Sequence, residues 1–435
     1  MSPLLLQSLT AFFATLLGVV ALSRVAPMLG LTDKPSGRKL HQGEIPMVGG
    51  IAIFLALSLA AVVWGESNQS LITVNGNDAL PVFMVCGAFL VLTGALDDRF
   101  HLGVFMRVLS EVLVALAVIE FLDLRVAHLG DLAGSGILRL DPVLAYPFTV
   151  VAIFGIINAF NMLDGMDGLL ALLVITTLVT FHLFVETAPG FVTLAISASL
   201  LAFLVSNLKL SPLVPKTFLG DAGSKLLGFI VVCLLLAAAS GQVGDVKLIQ
   251  PVTALFVVAL PLFDMVFTSL RRVIRKGSPF AADRSHIHHL MQDLGFSDRR
   301  ALVIILGIHL SVTFIGLMLH RANTPEYFQF GIFLGCFGLY SLLSSQLWLV
   351  AYRLQGASPS ISVIFNADGS LQADGSLHAE GSLHAEGSLH AEGSFHADGS
   401  LHADGSLPAT EIEALTPEPV GTDEISNITP LRKND

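Results

Sequence analysis

The sequence predicts an all-α, polytopic integral membrane protein of about eleven transmembrane helices, with its N-terminus outside, its C-terminus inside and a disordered repeat tail. Three observations predict it. The chain is 53% hydrophobic and 13% charged, with a mean hydropathy of +0.75. Apolar stretches near bilayer-spanning length recur from Leu4 to Leu349. The 23 Lys and Arg fall very unevenly between those stretches. A soluble fold of this composition would need many helices that are hydrophobic on every side and offer no face to water.

The spans are read at 4–23, 46–64, 81–96, 108–122, 144–160, 169–185, 191–206, 226–240, 251–270, 301–319 and 328–350. No Lys or Arg precedes the first, and Arg24 follows it. A signal peptide has the reverse order, so this segment reads as a span with its N-terminus outside. The fourth span contains Glu111 and Glu120, and Glu111 reads as buried against a neighbouring helix. With this topology the outer segments hold only Arg125, Arg139, Lys247 and Arg321, leaving 19 of the 23 cations inside. The net charge of −11 comes from the segment after Gln355, and the membrane part is close to neutral. Cys86, Cys233 and Cys336 all lie within apolar spans, where single thiols act as small hydrophobes.

The chain divides into a membrane domain, 1–352, and an acidic low-complexity tail, 353–435. A six-residue unit recurs seven times over 367–408, as in ADGSLH and AEGSLH. One apolar residue per six cannot bury enough area to offset the entropy of ordering.

Few charges remain in the membrane part, and five aspartates among them sit at span ends beside glycines. Asp97 and Asp98 follow the third span in ALDDRFHLG. Adjacent helical residues point about 100° apart, so this pair can serve two partners; an ordinary polar span end is the plainer reading. Asn158, Asn161, Asp164 and Asp167 recur every three residues in NAFNMLDGMDG. On a helix they would share a drifting face, costly to desolvate without partners. Asp221, in FLGDAGS, opens the eighth span, either as a plain N-cap or with room for an ion. Carboxylates crowded into an apolar setting repel one another and lose hydration, and a divalent cation relieves both. Residues 271–300 form the longest inner loop, with seven Lys and Arg and the block His286-Ile287-His288-His289. Without accompanying Cys or an HExxH pattern, phosphate binding suits the loop better than zinc. Lys39 and His41 are weaker phosphate candidates.

Taken in order, DDRF, NAFNMLDGMDG, FLGDAGS and PFAADRSHIHHL resemble the motifs of the polyprenyl-phosphate N-acetylhexosamine-1-phosphate transferases, the glycosyltransferase 4 family. The resemblance covers about residues 1–352. Within the superfamily the chain looks most like the bacterial WecA type, by its DDR and its HIHH block. The resemblance implies a bacterial inner-membrane enzyme with a periplasmic N-terminus and a cytoplasmic active site, dependent on Mg²⁺ or Mn²⁺. It would transfer GlcNAc-1-phosphate from UDP-GlcNAc to undecaprenyl phosphate, releasing UMP, as the first membrane step of O-antigen or enterobacterial common antigen synthesis. It places the acid pair at Asp97 and Asp98, and catalytic or phosphate-handling groups at His286, His288 and His289 with Arg284. Asp221 becomes a metal ligand, joined by Asp98. Substrate contacts fall at Asn158, Asn161, Asp164 and Asp167, at Asn207 and Phe218 near the nucleoside, and at Lys39 near the phosphates. No nucleic-acid partner is expected, and a homodimer is left open.

The chemistry fits the residues independently. A lipid phosphate must attack a diphosphate, anion upon anion, so cationic groups are needed around both. Either of Asp97 and Asp98 could deprotonate the attacking phosphate; direct attack is favoured here over a phospho-aspartate intermediate. The alternatives are the same reaction with another UDP-HexNAc, such as UDP-FucNAc, and, more remotely, a transporter. A transporter would place its ionisable groups near mid-span and often shows inverted repeats.

Overall fold

Helices form most of the described chain because its apolar residues run on without the period-two alternation of strands. The computed structural model describes residues 3–34, 43–64, 73–74, 77–186, 190–240, 249–274, 285–355, 363–365 and 371–373. Among them lie α1 (Pro3–Leu29), α2 (Gly49–Trp64), α3 (Leu80–Phe100), α4 (Val104–Leu122), α5 (Pro142–Leu163), α6 (Leu169–Val185) and α7 (Phe191–Asn207). They are followed by α8 (Gly220–Ser240), α9 (Pro251–Val257), α10 (Ala259–Ile274), α11 (Ile287–Asp293), α12 (Asp298–Arg321) and α13 (Glu326–Gln355).

Each predicted apolar segment falls on a helix, with one correction. The ninth, 251–270, is not one continuous helix: α9 and α10 meet at a break and bend by 85°. Pro261 explains where the helix stops. It lacks the N–H that would bond to the Val257 carbonyl in a continuous helix, and it is tolerated in the first turn of α10. Among the described residues six helices, α1, α3, α5, α8, α12 and α13, are long and apolar enough to cross a membrane, and the bent pair makes a seventh if it counts as one span. α2, α6 and α7 are apolar but only 16–17 residues long. α4 carries Arg107, Glu111 and Glu120. The protein is a helical, multi-pass membrane protein.

α8 is the axis of the fold. It is apolar all round and almost wholly buried, as expected of a helix enclosed by others. Small residues let its neighbours approach. A Cβ on Gly50 of α2 would stand 2.1 Å from the backbone of Gly223, and one on Gly94 of α3 2.5 Å from that of Ala222. Close backbone contacts of this kind are the usual means of packing helices where lipid removes the hydrophobic drive. They bring the ends of α2 and α3 against the first turn of α8.

Two short segments complete that end. β1 (Thr32–Asp33) pairs antiparallel with β2 (Ile45–Pro46). The chain after β2 is then stitched to the entry of α8: Phe218 N–H donates to Pro46 O at 2.8 Å, and Gly49 and Gly50 N–H donate to Phe218 O and Leu219 O at 3.0 and 2.9 Å.

Contacts divide the chain into Met1–Leu354 and Gln355–Asp435. Beyond Gln355, which ends α13, the described residues of the second unit are two paired strands, β5 (Val363–Phe365) and β6 (Leu371–Ala373). The rest of the repeat segment, and with it the expectation of disorder, lies outside the described residues. A further two-residue pair, β3 (Thr73–Val74) with β4 (Asn77–Asp78), lies between α2 and α3.

Candidate active site

Asp97 and Asp98 sit inside the last turn of α3, which runs on to Phe100 rather than ending before them. They diverge as adjacent helical residues must. Asp97 is buried. Its Oδ1 accepts the Leu102 N–H at 2.9 Å, and its Oδ2 lies 3.4 Å from Lys225 Nζ and 3.6 Å from Arg107 Nε. Asp98 turns the other way: its Oδ1 accepts the Asp221 N–H at 3.0 Å, with the Ala222 N–H 3.5 Å from Oδ2. Asp98 thus supplies, from another helix, the negative charge and acceptor that the open N–H groups of α8 need. Gly220 makes room for it. Its φ is +73°, and a Cβ there would stand 2.5 Å from Asp98 Oδ2.

Asp221 is therefore not the cap of α8. It lies in the first turn, with its carboxylate facing Asp97 and the Asn161 amide. One turn further along, Lys225 is buried between Asp97 and Glu111, whose Oε1 is 3.6 Å from Nζ. The Asn158 amide donates to the other oxygen of Glu111. Glu111 thus packs against neighbouring helices, joining α4 to α5 and α8, and Asn158 serves that junction.

The expected helical stripe ends early. α5 stops at Leu163, so Asp164 is its C-cap and Asp167 stands in the turn that follows. Gly168 adopts φ +75° to start α6, a conformation glycine takes without strain. Asn207 secures this turn: its Oδ1 accepts the Gly168 N–H at 2.6 Å and its Nδ2 donates to Thr217 O at 3.0 Å. Asp167 forms an ion pair with Lys216. Burial, and then the charges of Asp221, Asp98 and Asp167, push the Asp164 carboxyl up to about 8.

The histidines divide. His286 is buried among α10 and α13, with Nδ1 2.7 Å from Asp264 Oδ2. His288 reaches the aspartate turn: a Cβ on Gly165 would stand 2.1 Å from its Nε2. The His289 ring lies beside it, 4.2 Å between centroids. Lys216 Nζ is 5.4 Å from the centre of the Phe218 ring. Lys39 and Arg284 lie outside the described residues.

The fold therefore gathers Asp98, Asp164, Asp167, Asp221 and Asn161, with His288 alongside, from four separate stretches of chain. Asn207 holds the turn beside them. His286 is turned towards Asp264. The reading of the sequence assigned no role to Lys216 or Lys225, and passed over Arg107, Asp264 and Tyr340. A signal existed for Lys225, which falls four residues after Asp221 on an apolar helix. Asp264, alone among apolar neighbours, also met the rule that an ionisable residue within a span has a partner.

The family model "Glycosyl transferase family 4" matches residues 80–239, from α3 to α8. A relative from Salmonella typhi is 35% identical over 350 residues, covering 79% of this chain and 92% of its own length. Relatives from Yersinia pestis and Escherichia coli K12 are 36% and 34% identical, covering 75% and 81% of this chain and 88% and 97% of their own. The chain belongs to glycosyl transferase family 4. All three relatives are named undecaprenyl-phosphate alpha-N-acetylglucosaminyl 1-phosphate transferase. The family match takes in all five aspartates, Lys216 and Lys225. His288 follows it in the chain and reaches the same region through α11.

Proposed function

We propose that this protein transfers GlcNAc-1-phosphate from UDP-GlcNAc to undecaprenyl phosphate, giving undecaprenyl-diphospho-GlcNAc and UMP. One observation carries the reading. On a chain that aligns with such relatives over most of its length, the three aspartate segments meet around the N-terminus of α8, with His288 beside them. In the reaction an oxygen of the lipid phosphate attacks the sugar-bearing phosphorus, and the bond to the UMP phosphate breaks.

The donor set fits Mg²⁺ or Mn²⁺. It consists of hard oxygens from Asp98 and Asp221 with the Asn161 amide nearby, and burial together with the charges of Asp221, Asp98 and Asp167 raises the neighbouring Asp164. Among the described residues no three His, Cys, Asp or Glu converge as a ready-made cage. That suits an ion held by one or two carboxylates and completed by water and substrate phosphates. When bound, the ion would offset the charge of the two phosphate groups. The chain's own part is to place the reactants. Asp221 and Asp98 would hold the ion, with Asp164 and Asp167 on the nucleotide side and His288 and His289 beside the diphosphate. Asp97 is neutralised by Lys225 and Arg107, so Asp98 is the better placed of the pair to accept the proton of the lipid phosphate.

The 19 inner cations favour eleven spans with the N-terminus periplasmic and this site at the cytoplasmic face of a bacterial inner membrane. The product would begin a lipid-linked glycan of the O-antigen or enterobacterial common antigen type.

The test is turnover by the purified full chain with undecaprenyl phosphate and a panel of UDP-sugars, with and without Mg²⁺. Release of UMP with labelled lipid product from UDP-GlcNAc is expected. Product from UDP-FucNAc alone would change the sugar, and no lipid product from any donor would overturn the reading.

A further inference from the structure

Asp264 is a fully buried carboxylate in the middle of an otherwise apolar turn of α10. Such a group is retained only with partners, and it has three. His286 Nδ1 lies 2.7 Å from Oδ2, the Ile287 N–H donates to Oδ1 at 2.9 Å, and the Tyr340 hydroxyl donates to Oδ1 at 2.8 Å. The Arg272 guanidinium lies 3.2 Å from the other nitrogen of His286, Nε2. A guanidinium can only donate. Nε2 must therefore accept, and the proton of a neutral imidazole must sit on Nδ1, aimed at Asp264. Both ring nitrogens of His286 are engaged within the protein.

The same cluster sets the path of the chain. His286 is the N-cap residue of α11 and Ile287 its first residue, so Asp264 grips both sides of the turn into that helix. Two residues on, the His288 ring stacks near-parallel to His286, 5.9 Å between centroids, and meets Gly165 in the aspartate turn. Tyr340 brings α13, remote in sequence, into the same contact.

We infer that Asp264 and Tyr340 are positioning residues for the transfer reaction, and that His286 works with them as a fixed Nδ1–H donor rather than as an acid or base. Together they seat α11 so that His288, with His289 beside it, meets the aspartate turn. The inference rests on the proposed function for the word reaction, but the placement of the proton does not.

Two measurements test it. Asparagine carries its side-chain N–H on the atom that corresponds to Nδ1 of histidine, so His286→Asn can still donate to Asp264, while His286→Ala cannot. The expected result is that His286→Asn keeps kcat within about tenfold of wild type with an unchanged pH profile. His286→Ala, and Asp264→Asn, should lose on the order of 100-fold in kcat, the scale of a misplaced group. Tyr340→Phe should lower kcat while leaving KM for UDP-GlcNAc and the pH profile unchanged. His286→Asn as inactive as His286→Ala, though melting like wild type, would overturn the inference. The second measurement needs no turnover: ¹⁵N spectra of histidine-labelled full chain, with His286→Asn identifying the signal. They should show His286 protonated at Nδ1 only, and a signal protonated at Nε2 would also overturn it. If the wild type makes no lipid product, the proposed function fails while the spectrum still decides the tautomer.

Discussion

The Asp98 carboxylate on α3 accepts the backbone N–H of Asp221, in the first turn of α8, at 3.0 Å. The contact does two things. It satisfies the helix end, and it holds two carboxylates side by side that would otherwise separate. A cap costs about 1 kcal/mol when lost, whereas a charge that develops only during reaction affects rate far more. The two roles can be separated. Asp98→Asn keeps an acceptor oxygen for the cap and should melt close to wild type while losing turnover by on the order of 100-fold. Asp98→Ala should lose both turnover and about 1 kcal/mol of stability. Turnover near normal in Asp98→Asn would reduce Asp98 to a cap.

Lys225 answers two buried acids, Asp97 and Glu111, at 3.4 and 3.6 Å. Removing one member of such a group leaves uncompensated charge, typically costing about 3–5 kcal/mol. Asp97 keeps Arg107 as a partner, so Lys225→Met should fall at the lower end of that range. The loss should lie mostly with Glu111. The double variant Lys225→Met/Glu111→Gln should therefore be more stable than Lys225→Met alone, read from melting temperatures in detergent or nanodiscs. Equal or lower stability of the double variant would show that the ammonium is not held for Glu111.

Gly165 is small because His288 occupies the space of its side chain. A methyl group there would meet His288 Nε2 at 2.1 Å, so the histidine must move. Gly165 does not adopt a positive φ, so alanine brings little backbone strain. Gly165→Ala should accordingly melt within a few degrees of wild type while losing on the order of 100-fold in turnover, the cost of displacing a positioned group by about 1 Å. Full activity in Gly165→Ala would place His288 outside the reaction.

Much of this site was legible in the chain because acids are rare in it. Asp98, Asp164 and Asp221 end apolar runs, and each lies where the helices converge. What the sequence could not convey is pairing across helices. Lys225 is 128 residues from Asp97, and Asp264 meets Tyr340 across 76; no local period reports either contact. The step of three from Asn158 to Asp167 was misleading for a different reason. It matches a helix, but the glycines at 165 and 168 allow the chain to leave α5 at Leu163. The break at Val258 was hidden by hydropathy, which does not register the N–H that Pro261 lacks.

Asp164 gives the site a pH signature. Its carboxyl stands at about 8 in the folded protein against an ordinary value of 3.8. Between those values the unfolded chain has released this proton while the folded chain keeps it. Unfolding therefore releases a proton, and stability falls as pH rises from about 4 to about 8, then levels. In EDTA, the melting temperature of the wild type should decline through that window more steeply than that of Asp164→Asn, which has no proton to release. A cation that prefers ionised carboxylates would oppose the same proton. The rise in melting temperature on adding Mg²⁺ should then grow with pH up to about 8, and Asp164→Asn should flatten that growth. Identical pH slopes for wild type and Asp164→Asn would mean that burial and the neighbouring aspartates do not hold a proton on Asp164. The charge argument for a cation at this cluster would then fall with it.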